Sequence, residues 1–165
     1  MPARACCTGG SPLYAPHDVT LVNLHGGLPR PVLLRGVMLQ AMDGRGTVKR
    51  GSQDSSDAVL YVPFSADIRD AGGAAMTFLP PLEYAALPDP AGFWTLQTEG
   101  ESAARASFFV KGLHPEAMTL EEARRRFDAV YVVAGYSIRD YGSPAMRHYE
   151  IRSRLRNRFY GFNNQ

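Results

Sequence analysis

Four histidines, two cysteines and a run of arginines are the residues of this chain whose chemistry could amount to a site. His17, His25, His114 and His148 have no paired spacing of the HxxxH kind, so nothing in the sequence sets two imidazoles on one face for a metal. Cys6 and Cys7 are adjacent. Vicinal cysteines rarely pair and two thiols make no disulfide framework. A nucleophilic thiolate also needs a base held rigidly beside it, which a Gly/Pro-rich segment does not supply. Asp67 with Asp70, and Glu121 with Glu122, come nearest to carboxylate pairs for acid–base work, and loop and helix-cap roles account for both. Gly44-Arg-Gly46 and Gly72-Gly73 lack the strand-then-helix frame of a phosphate loop. The chain therefore reads as a non-enzyme, with no catalytic residue, metal site or cofactor expected.

One charge feature stands above background. Arg152, Arg154, Arg156 and Arg158 recur every second residue, which on an extended chain places all four on one side. Phe159, Tyr160 and Phe162 follow and can stack or anchor, so the stretch suits nucleic acid or an acidic partner. The molecule as a whole is no polycation: 18 Lys and Arg stand against 16 Asp and Glu, a net charge of +2. Lys occurs only at Lys49 and Lys111; the Arg that dominate suit planar contacts to carboxylates and phosphates.

The elements that must position these residues are mostly strands. Alternating and β-branched runs predict strands over residues 18–24, 32–40 and 58–64, with Gly36 as a bulge and Pro63 at a strand end. Residues 43–57 read as an exposed loop, and 65–81 as loop with short extended pieces. Pro81 starts a helical turn. Residues 93–97 and 106–111 form an apparent hairpin across the Gly100 loop. Thr119-Leu-Glu-Glu122 is a capping box that opens a helix running to about Phe127. A long strand follows, then a turn written in Asp140, Tyr141, Gly142, Ser143 and Pro144, and a return strand over 145–151. Residues 1–17 have no periodicity and read as an N-terminal arm, 18–151 as one β-rich domain, and 152–165 as an Arg/aromatic C-terminal arm. The expected fold is mainly β: a small barrel or sandwich with long loops, one short helix near 119–127 and extended arms at both ends. A domain of 165 residues buries roughly 70% of its unfolded surface, enough for a core without staples. No segment approaches the ~20 apolar residues of a membrane span and no secretory h-region is visible, so the expectation is a soluble, unexported chain made in a reducing cytoplasm.

Taken together, Pro81-Leu-Glu-Tyr84, Gly92-Phe-Trp-Thr95, Phe108-Phe-Val-Lys-Gly112, the Thr-capped helix, Tyr131-Val-Val-Ala-Gly-Tyr-Ser-Ile-Arg-Asp-Tyr-Gly-Ser143 and Met146-Arg-His-Tyr149 resemble a family of tailed-bacteriophage neck proteins. These are the head-tail connectors, also called head-closure, stopper or minor capsid proteins. The resemblance covers roughly residues 18–151, and its motifs are structural. It implies a virion protein made in the bacterial host cytoplasm, assembled as a closed ring of six or twelve copies between the portal or its adaptor and the tail terminator or tail tube protein. There it closes the head, retains DNA and docks the tail, with packaged double-stranded DNA in the channel as a further candidate partner. Asp140, Tyr141, Arg152, Arg154, Arg156, Arg158, Phe159 and Tyr160 are the candidate assembly or DNA-channel residues. Two alternatives stand beside this reading: another neck or tail component, such as an adaptor or tail terminator, and a free β-barrel that binds single-stranded nucleic acid.

Overall fold

The computed structural model describes residues 15–41, 57–101 and 103–156. In chain order the elements are β1 (His17–His25), β2 (Leu28–Ala41), β3 (Ala58–Pro63), β4 (Asp67–Asp70), β5 (Thr77–Phe78), α1 (Pro81–Ala85), β6 (Phe93–Trp94), β7 (Phe108–Lys111), α2 (Leu120–Arg126), β8 (Tyr131–Arg139) and β9 (His148–Leu155). Six strands in the order β1-β7-β8-β9-β3-β2 close into a barrel when β2 pairs back onto β1, and β4 adds to the outside edge of β2. Closure removes most of the free edges that a small open sheet would expose. The mainly β fold is thus a barrel and not a sandwich.

β2 departs from the sequence expectation. It begins at Leu28, four residues before the predicted strand, and Gly26-Gly27 make a tight hairpin turn with φ of 60° and 81°. Pro29 and Pro31, which read as strand breakers, are accommodated because the other edge of β2 acquires a ladder partner only from Val32 onward. Gly36 is the bulge: the register jumps from Asp18↔Arg35 to His17↔Val37, and Gly36 takes φ 79°. There β2 exchanges one neighbour for another, with Val32–Arg35 on β4 and Met38–Ala41 on β3.

Residues 93–97 and 106–111 do not form the expected ladder. Both edges of β7 are taken, by β1 and β8, and β6 pairs in parallel with β5 instead. What remains of the hairpin is one backbone bond, from Ser107 N to Gln97 O at 2.8 Å, and Ser107 Oγ in place of a second. Trp94 and Leu96 turn into the barrel and help fill its core with Leu21, Leu34, Leu60 and Phe109.

A second, smaller core lies on the outer wall, where Met118, just ahead of α2, and Ala123 within it pack over Val22, Phe108, Val110 and Val132. The capping box is present in full: Thr119 Oγ1 accepts Glu122 N at 3.2 Å, and Thr119 N donates to Glu122 Oε1 at 2.9 Å. Two of the first-turn donors are thereby satisfied. The final hairpin has its strands as expected in kind but shifted in extent, since β9 runs to Leu155 and not to 151. Arg152 and Arg154 therefore belong to the barrel wall.

Register also fixes which strand ends share a pole. His17 lies opposite Val37, Ala41 opposite Ala58, Ala58 opposite Ser153, and Tyr131 opposite Leu155. The start of β1, the end of β2, the start of β3 and the end of β9 consequently gather at one end of the barrel. Segments 1–14, 42–56 and 157–165 all attach there.

Candidate functional site

Arg152 and Arg154 point outward from β9, alternating with Ile151 and Ser153, which are both 0% exposed. The period-two reading of the arginines holds for this pair. Arg152 lies across the backbone of Gly135, where a Cβ would come within 2.9 Å of Nη2, and donates to Ser137 Oγ at 3.3 Å. Gly135 follows a bulge in β8, visible as a register jump between Val133 and Gly135. Arg154 Nε meets Glu99 Oε2 at 2.9 Å, and Arg156 Nη2 lies 3.6 Å from Glu99 Oε1. One carboxylate thus ties two guanidiniums, and the three arginines keep an excess of two positive charges. Arg158, Phe159 and Tyr160 lie outside the described residues.

Asp140 and Tyr141 sit at the other end of the β8–β9 hairpin, about 25 Å of strand away from Arg156. The structure does not gather them with the arginines into one site. Asp140 Oδ1 faces Arg147 Nε at 3.4 Å, and that Nε makes no hydrogen bond among the described residues. Tyr141 is 65% exposed, its hydroxyl 3.4 Å from Arg139 Nη1, and Arg139 Nη2 bonds Glu150 Oε1 at 3.0 Å. The Glu150 bond raises the Arg139 pKa further.

The histidines are dispersed, each with its own partner. His17 Nδ1 accepts Leu39 N at 2.9 Å, His25 Nε2 is 2.8 Å from Leu87 O, His114 Nε2 is 3.0 Å from Lys111 O, and His148 Nδ1 is 2.8 Å from Met146 O. Among the described residues no three His, Cys, Asp or Glu side chains form a group that could hold a metal. Asp67 pairs with Arg69 at 2.8 Å, while Asp70 Oδ1 accepts Gly72 N and Ala74 N and so builds the turn that contains Gly72-Gly73.

Two features escaped the sequence reading. The first is a polar network at the mouth of the barrel, made by Asn23, Thr95, Gln97 and Ser107. Asn23 Nδ2 donates to Thr95 O at 2.7 Å and to Ser107 Oγ at 2.8 Å, and Asn23 Oδ1 accepts Thr95 N at 3.0 Å. The Gln97 amide bonds Leu24 N and Leu24 O, continuing the β1 ladder past the end of β7. Its signal was in plain view, since Asn23 occupies the same inward row as Val19 and Leu21, where a polar group demands partners.

The second is an aromatic groove of about 320 Å³ whose lining includes Phe64, Ile68, Met76, Phe78, Trp94 and Tyr149. Tyr149 is its hub, with ring centroids 4.9 Å from Phe64, 5.0 Å from Phe78 and 5.2 Å from Trp94. Burial pushes the Tyr149 phenol pKa up, and the charge of nearby Asp140 adds to the shift. The groove opens where β3 ends and β9 begins, at the pole opposite the chain ends.

Compared with protein-family models, curated proteins and solved structures, the chain finds no match.

Proposed function

We propose that this chain is a structural protein of the tailed-phage neck, a connector that forms a closed ring between portal or adaptor and tail, closes the head, retains DNA and docks the tail. The quoted motifs motivate the family, and one structural observation carries the reading. A closed barrel gathers at a single pole the points where segments 1–14, 42–56 and 157–165 attach, and those segments hold the basic excess. The described residues contain thirteen Lys and Arg against fourteen Asp and Glu; the other five basic and two acidic residues all lie in 1–14, 42–56 and 157–165.

This polarity suits an assembly better than a free-standing binder. A ring closes through heterologous contacts, so one face must complement a different face of the same chain, and segments attached at one pole can supply such a face. Arg152, Arg154 and Arg156 stand on the outer wall beside that pole and turn their remaining positive charge toward phosphates or an acidic neighbour. The chain acts without chemistry of its own, in the virion at the head-tail junction.

Replacing Arg152, Arg154, Arg156 and Arg158 by Ala tests the basic wall. The expected result is impaired neck assembly or leakage of packaged DNA, with thermal unfolding close to the parent's. Virions with normal yield and normal genome retention would remove this role.

A further inference from the structure

The aromatic groove has the chemistry of a docking site and, among the described residues, no segment that fills it. Phe64 is 38% exposed at its lip, Trp94 is 1% exposed at its floor, and the Tyr149 hydroxyl makes no hydrogen bond among the described residues. Two carboxylates stand near it, each already facing an arginine of its own chain: Asp67, in the lining, pairs with Arg69 at 2.8 Å, and Asp140, close enough to perturb Tyr149, lies 3.4 Å from Arg147. An occupant should therefore bring aromatic anchors and a backbone able to approach closely.

One stretch of the chain outside the described residues has both, namely Arg158-Phe159-Tyr160-Gly161-Phe162. It attaches to the end of β9 through Arg156, whose N donates to Val130 O. Its own groove lies at the start of that strand, seven residues back at Tyr149, or about 23 Å of strand. Phe159 and Tyr160 follow Arg156 by three and four residues, which span at most about 11 and 14 Å, and the chain must also reverse direction. Phe159 and Tyr160 cannot reach the groove of their own barrel, and Phe162, six residues on, spans at most about 22 Å and would arrive only fully extended and without the other two.

We propose that residues 158–162 of one copy dock in the aromatic groove of a second copy, with Phe159, Tyr160 and Phe162 in the groove. The contact joins the pole that carries the chain ends to the opposite pole of its neighbour, so it is heterologous, as a ring requires. This deepens the ring reading by naming its link, yet rings closed by other contacts would leave that reading standing.

Trp94 is the sole tryptophan and reports from the groove floor. The test uses the full chain, a full-length F159A/Y160A/F162A variant, that variant with Phe64→Ala added, and a synthetic peptide of residues 157–165. Expected are concentration-dependent self-association of the parent in sedimentation, weakened about tenfold or more in the triple variant, and a saturable Trp94 emission change when the peptide meets the triple variant. Adding Phe64→Ala should weaken peptide binding by about tenfold while the thermal unfolding curve stays near that of the triple variant. The proposal is overturned if the triple variant assembles like the parent, or if the peptide leaves Trp94 emission unchanged. A parent chain that stays monomeric while the peptide still binds overturns the second copy as occupant.

Discussion

Asn23 and Thr95 bond each other twice, side chain to backbone, with Asn23 Nδ2 on Thr95 O at 2.7 Å and Thr95 N on Asn23 Oδ1 at 3.0 Å. The carboxamide does for residue 95 what a neighbouring strand would do, and both residues are 0% exposed. Asn23→Ala strands the buried Thr95 carbonyl and N–H together, while the Ser107 hydroxyl loses one donor and keeps its bonds to Gln97 N and Gln97 Oε1. We expect a loss of about 3 kcal/mol in denaturant unfolding, given roughly 1–3 kcal/mol for each stranded group and partial relaxation. A loss below about 1 kcal/mol would mean that water or a rotated Gln97 replaces the amide.

Glu99 holds Arg154 and Arg156 at an exposed rim, where ion pairs contribute little to folding. Glu99→Gln should change stability by less than about 1 kcal/mol and free both guanidiniums. The variant is expected to elute from a heparin or phosphate column at higher salt than the parent. Unchanged or earlier elution would show that these arginines do not form the anion-facing surface.

Burial raises the phenol pKa of Tyr84, Tyr131, Tyr136 and Tyr149. The folded state therefore keeps protons that the unfolded chain releases above its ordinary tyrosine value of about 10. Their contribution is fully present below about pH 10 and is lost as pH rises through the folded values. Thermal unfolding should fall steeply above about pH 10, and Tyr149→Phe should make the fall shallower. A flat profile up to the pH at which tyrosinate absorbance saturates would contradict this.

Gly36 and Gly135 make a matched pair for separating backbone strain from side-chain crowding. A Cβ on Gly36 meets nothing within 4 Å, but φ is 79°, so Gly36→Ala should cost about 1 kcal/mol through the backbone alone. Gly135→Ala carries no such φ strain and instead pushes on the Arg152 guanidinium, the mobile end of a side chain. We expect near-parental stability for Gly135→Ala, with weakened anion retention on the same column. The reverse ranking in unfolding experiments would overturn the bulge assignment.

The barrel strands were legible as β-branched and aromatic runs, several with local alternation, whereas β4 and β5 lie in the stretch 65–81 that read as loop with short extended pieces. Val19 and Leu21, Leu60 and Val62, and Ile151 face inward with polar or partly exposed residues between, and the capping box at Thr119 spelled out its helix. Barrel closure was not legible, because the pairing of Val22 with Phe108 spans 86 positions and neither residue signals the other. Pro29 and Pro31 hid the start of β2, because an unpaired edge tolerates proline and the sequence does not show which edge is free. Of the candidate surface, the alternating arginines could be read, but the carboxylate that restrains two of them comes from residue 99, more than fifty positions earlier. The aromatic groove was invisible for the same reason: Phe64, Phe78, Trp94 and Tyr149 meet only when the barrel has closed.

Sizing the purified protein alone and with its portal, by sedimentation or native mass spectrometry, tests the connector reading most directly. The reading predicts a closed ring of six or twelve copies, formed alone or on the portal. A chain that stays monomeric at every concentration and does not bind the portal would contradict it.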